Sequence, residues 1–166
     1  MLTRERMERM IDAKDSGEAA KVLSECGYGE LTQLTSAALE ELLADARRNT
    51  FRDMADSVPD RRLVEVFQLK YDYHNAKVLI KAQAMGLDEA RLLSQGGRYD
   101  PQRLREDFLR DDLRDWGEVF RQAVLRAREV LAATGDPQQA DLVLVQSEAH
   151  HQNARERRNR AMLGYC

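Results

Sequence analysis

Three histidines, at positions 74, 150 and 151, and the carboxylate of Asp72 beside the first of them have the types to ligate a metal or move a proton. Their spacing works against both roles. On a helix only residues three or four apart are neighbours, so Asp72 and His74 point to different faces. His150 and His151 are adjacent and diverge in the same way. No His-Glu-x-x-His and no paired Cys-x-x-Cys occurs. Nucleophilic chemistry finds no better support. There is no Gly-x-Ser-x-Gly, and Gly27-Tyr28-Gly29 and Gly96-Gly97 lack the Lys-Ser/Thr of a phosphate loop, so they read as turn glycines. Glu40-Glu41 and Asp111-Asp112 read as solvated helix faces. The expectation is no catalytic residue, no cofactor-binding residue and no metal ligand.

The richest stretch is Phe67-Gln68-Leu69-Lys70-Tyr71-Asp72-Tyr73-His74-Asn75-Ala76-Lys77. It lies in the longest uninterrupted helical pattern, from about Asp60 to Met85. Leu63, Val66, Phe67, Tyr71, His74 and Val78 follow one face, and Leu69, Tyr73, Ala76, Ile80 and Ala84 a neighbouring one. Such a wide apolar arc suits contact with more than one helix. Phe67, Tyr71 and Tyr73 are therefore expected to pack a core. Lys70, His74, Lys77 and Lys81 share a stripe at i, i+4, i+7 and i+11. Either that stripe docks an acidic partner helix, or its aliphatic stems lie along the bundle with their charges in water.

The rest of the chain also reads as helix. With three prolines and nine glycines in 166 residues, long regular elements are possible. Thr3 is placed to cap a first helix. Asp15-Ser16-Gly17 breaks it, and Ser16 is placed to cap a second, closed by Gly27 or Gly29. A longer helix covers Ser36 to Ser57, stopped by Val58-Pro59. Gly86 closes the central helix, and residues 87–93 read as a short turn. Ser94-Gln95-Gly96-Gly97-Arg98-Tyr99 reads as a linker. Asp100-Pro101 and Asp136-Pro137 each open a helix. Asp115 with Glu118 resembles a capping box for a helix closed by Gly135. The predicted class is all-α, a multi-helix bundle.

Apolar patterning fades after Val145. Arg155, Arg157, Arg158 and Arg160 crowd together without interleaved aromatics, which reads as a solvated end rather than an RNA site. No apolar run reaches 18 residues, so no direct membrane insertion is expected. The N-terminus has no secretory signal pattern. Cys26 and Cys166 are too few for a disulfide framework, and a reduced, cytoplasmic setting follows. A formal charge of −3 favours neither nucleic acid nor an anionic membrane as main partner.

Phe67-x-Leu69-Lys70-Tyr71-Asp72-x-His74-Asn75-x-Lys77 resembles a helix of the C-type stalk protein of A/V-type rotary ATPases, the d-type protein of the eukaryotic V-type enzymes. Residues 2–15, Ala19 to Tyr28, Gly97 to Pro101 and Ala127 to Leu144 resemble other parts of the family in the same order. The resemblance implies an all-helical protein of similar lobes forming a funnel. It also implies a non-catalytic subunit without cofactor, peripheral on the cytoplasmic side of the membrane. Its implied partners are the proteolipid ring and the D and F proteins of the central shaft, whose rotation it couples to the ring. The chain is about half the length of the family, so an incomplete set of lobes is expected. Residues 1–93 would form a first lobe and 94–145 part of a second, leaving 146–166 as a polar, Arg-rich tail, disordered or foreign to the family. The alternative from residues alone is a free-standing helical adaptor or nucleic-acid binder using that tail.

Overall fold

In a computed structural model of the chain, residues 2–29, 35–162 and 164 are described. Cys166 lies outside them. The described residues form seven α-helices, one 3-10 turn and no strand. The all-α, multi-helix class is thus the observed one. The chain makes two compact units, residues 1–53 and 54–166.

In the first unit α1 is Arg4–Ile11 and α2 is Ser16–Glu25. Thr3 caps α1 by accepting from the Arg6 amide. The cap of α2 is Asp15, not Ser16: its carboxylate accepts from the Glu18 amide at 2.9 Å. Glu18 reaches back to the Lys14 amide at 3.0 Å, so the two acids satisfy donors that the helix cannot. α2 buries Ala19, Ala20, Val22 and Leu23. Arg9 pairs with Glu25 at 3.1 Å, tying the two legs together. α3, Ser36–Ser57, runs across the boundary between the units.

The second unit is built on α4, Arg62–Met85, which packs against α5 (Pro101–Leu109), α6 (Glu118–Thr134) and α7 (Pro137–Met162). α6 and α7 also pack on each other. Gly86 and Gly135 end α4 and α6 with φ of 63° and 67°, a conformation that favours glycine. Asp100 caps α5, with Pro101 in its first turn, as read from the sequence. The capping box at Asp115 does not form; α6 starts at Glu118 with Gly117 before it and no side-chain cap.

One buried cluster joins these helices: Leu69, Tyr73, Ala76 and Ile80 of α4, Leu104 and Phe108 of α5, Phe120 and Val124 of α6, and Ala140 and Leu144 of α7 are among its members. Of the two apolar faces read on α4, the one through Leu69, Tyr73, Ala76 and Ile80 lies in this cluster, while on the other only Val66 is buried. Phe67 on the other face is 56% exposed and Tyr71 half-buried.

Apolar patterning predicts no anchored face beyond Val145, and here the structure differs. α7 continues to Met162, with His151 buried and Arg155 paired with Glu65 of α4. The anchors are polar, so a count of apolar residues does not see them.

Candidate functional site

Along the core side of α4, Gln68, Asp72 and Asn75 follow one another at i, i+4 and i+7 and so make a polar strip on one face. The segment 94–99 lies on this strip and runs antiparallel to the helix. Asn75 takes Ser94 with both ends of its amide: Nδ2 donates to the Ser94 carbonyl at 2.9 Å, and Oδ1 accepts from the Ser94 amide at 2.7 Å. Gln68 Nε2 donates to the Gly97 carbonyl at 3.4 Å. Asp72 Oδ1 accepts from the amides of Arg98 and Tyr99 at 2.9 and 3.3 Å, and Oδ2 accepts from Arg98 Nε at 2.6 Å.

Asp72 and Asn75 are fully buried. Burial pushes the Asp72 carboxyl above its usual range, while the Arg98 charge and the three donated hydrogen bonds pull it back. Gly97 is placed where only glycine fits. A Cβ there would run into Asp72 Oδ1 and lie 3.3 Å from Asp72 Cγ and 3.4 Å from its amide nitrogen. The Asp72 carboxylate occupies the space that a side chain at Gly97 would need.

One residue along, Tyr73 turns into the core. Its ring meets Phe120 edge-on, with centroids 5.1 Å apart, and its hydroxyl lies 3.2 Å from His151 Nδ1. Arg155 Nε donates to His151 Nε2 at 3.4 Å. A guanidinium can only donate, so Nε2 is the accepting nitrogen and Nδ1 carries the proton that faces Tyr73. Burial, reinforced by the charges of Arg98, Arg155 and Arg158, lowers the His151 pKa to about 4. The imidazole is therefore neutral near pH 7. Burial also holds the Tyr73 phenol protonated, well above its ordinary range. Tyr99, Trp116 and Phe120 stack beside this pair, and the Tyr99 hydroxyl accepts from the Gly117 amide at 2.7 Å.

The residues singled out in the sequence separate into distinct environments. Asp72 and Asn75 hold the 94–99 segment. Lys77 crosses to Glu148 of α7 at 2.9 Å, and Lys81 to Asp141 of α7 at 3.1 Å. His74 is exposed, and its Nε2 donates to the Leu92 carbonyl at 3.1 Å. Lys70 is exposed, with its ammonium 4.9 Å from the Tyr71 ring centre. The basic stripe is thus split: its C-terminal half is spent on α7, and Lys70 stays outside beside Phe67.

Sequence reasoning missed Gln68, Gly97, Arg98 and the Tyr73–His151 pair. A usable signal existed, since Gln68, Asp72 and Asn75 interrupt an otherwise apolar face at helical spacing. Glu148 and His151, three apart on α7, go to different partners and do not converge. No group of three His, Cys, Asp or Glu able to hold a metal occurs among the described residues. The arrangement is chemically quiet. Its carboxylate, amide and imidazole already have protein partners, and it locks chain segments together.

A family model described as ATP synthase (C/AC39) subunit matches residues 1–157. The chain belongs to this family. Its members are accessory subunits of V/A-type ATPases and are not themselves catalytic. The match runs through the motif helix, the 94–99 segment and most of α7, which moves the end of the family pattern from about Val145 to residue 157. No curated protein and no solved structure matches the chain. No helix among the described residues of this C/AC39 protein is long and apolar enough to cross a membrane.

Proposed function

We propose that this protein is a non-catalytic central-stalk subunit that couples the rotating shaft to the membrane proteolipid ring in ATP-driven or ATP-synthesising ion transport. Its partners are the ring and the D and F proteins of the shaft, and its setting is cytoplasmic and peripheral. The observation that carries this reading is the family match over residues 1–157.

The way the second unit is tied together supports it. A coupling part must pass force between two binding surfaces without yielding. Buried and half-buried cross-ties such as Asp72–Arg98, Asn75–Ser94 and Lys77–Glu148 oppose relative movement of the elements they join. Residues 1–93 and 94–145 would belong to two successive lobes of the funnel. Phe67 and Lys70, exposed on the outward side of α4, are the members of the motif helix that would meet a partner.

The test is co-purification of the full chain with the D–F shaft pair and, separately, with the detergent-solubilised proteolipid ring. Retention by both is the expected result. Retention by neither, with the chain folded by circular dichroism, refutes the stalk role.

A further inference from the structure

The first turn of α6 and the C-terminal half of α7 enclose a groove of about 400 Å³. Three guanidiniums line it: Arg98, Arg155 and Arg158. Arg98 is the least accessible, its side chain only 11% exposed. Its Nε is taken by Asp72, but its Nη2 is buried and has no hydrogen-bond partner. A buried donor left without an acceptor costs about 1–3 kcal/mol, and more when charged. Arg155 is held by Glu65. Arg158 is exposed and has no hydrogen-bond or ion-pair partner among the described residues.

The opposite wall is Gly117, Glu118 and Val119 at the start of α6, an end that no side chain caps. The first amides of a helix have no acceptor within it, and the helix dipole is positive there. The one carboxylate lining the groove is Glu118, which is engaged by Arg121 and Gln122. Four guanidiniums, those of Arg98, Arg121, Arg155 and Arg158, face three carboxylates, those of Asp72, Glu118 and Glu65, which leaves one positive charge without a counterion.

We propose that this groove binds a small oxyanion of the phosphate or carboxylate class, held by Arg158, Arg155 and the first amides of α6, with Arg98 as the buried cation behind them. Guanidiniums and helix N-terminal amides are the donors that suit such a ligand. The low pKa of His151 comes first from burial and then from these same three arginines, and the second part agrees with the placement. The site does not depend on the rotary role, and its test needs the isolated chain alone.

The experiment titrates the full chain with inorganic phosphate against chloride at matched ionic strength, followed by calorimetry and by NMR of the histidine rings. Phosphate is expected to bind and to move the His151 titration to higher pH. Arg158→Gln is expected to weaken phosphate roughly tenfold. Arg157→Gln, on an exposed residue that does not line the groove, is expected to leave it unchanged. Succinate binding with the same loss in Arg158→Gln supports the site and assigns its ligand to a carboxylate. A phosphate effect no larger than that of chloride overturns the proposal, as expected if only water satisfies Arg98 Nη2. Equal weakening by both substitutions overturns it as well.

Discussion

Replacing Gly97 with alanine adds one methyl group at a half-buried position, and the structure says this is costly. Gly97 does not have a positive φ, so the backbone itself accepts alanine. The penalty comes from Asp72 Oδ1, which the new Cβ would displace. That oxygen accepts from the amides of Arg98 and Tyr99, while Oδ2 keeps Arg98 Nε. Losing two hydrogen bonds to a charge-paired acceptor, at about 1.5–3 kcal/mol each, makes the expected destabilisation about 3–6 kcal/mol.

The assay is urea unfolding followed by fluorescence of Trp116. It is the only tryptophan, it is buried, and it lies in the same unit. The cause is separated by a double-mutant cycle with Asp72→Ala. Once the carboxylate is gone, Gly97→Ala should cost less than about 1 kcal/mol, because the methyl group then has room. If Gly97→Ala costs the same in both backgrounds, the clash with Asp72 is not the reason glycine sits there. A cost under about 1 kcal/mol in the parent protein would equally refute the reasoning.

Two further outcomes follow from the Tyr73–His151 pair. Because the His151 pKa is depressed to about 4 from 6.5, the unfolded chain takes up the proton first as the pH falls. The stability from keeping the ring neutral is fully present above about pH 6.5 and is lost as pH drops towards 4. The full shift corresponds to about 3 kcal/mol, and His151→Gln should remove that part of the slope in urea midpoints measured across this range. Tyr73→Ala should destabilise by about 3–5 kcal/mol, as for other large buried aromatics, and clearly more than Tyr71→Ala on the half-buried face. Thermal melts of the two variants compare them directly, and a larger loss at Tyr71 would contradict the assignment of core faces.

The helices were legible because their signals are local. Asp100-Pro101, Asp136-Pro137, Gly86 and Gly135 act within one turn, and they bound elements where the sequence places them. Ser16 and Asp115 mislead because several capping residues stand side by side, and only the formed backbone selects among them. The motif helix is visible in the sequence, but the roles of its members are not. Phe67 and Tyr73 are equally apolar in pattern, yet what distinguishes them is which side α6 and α7 cover, and that is a tertiary fact. The polar ties are illegible for a related reason. Asp72 meets Arg98 across 26 residues and Tyr73 meets His151 across 78, and neither spacing has a local signature.

A six-residue stretch with two glycines and two neutral polar residues is where a protein engineer would insert a tag or open a circular permutant. In this chain the choice would fail. Ser94, Gly97, Arg98 and Tyr99 each meet a fixed position on α4, so one added residue anywhere between them puts all later contacts out of step. The turn around Thr134–Asp136 is the better point of entry, since its side-chain bonds stay within the turn and its neighbouring residues.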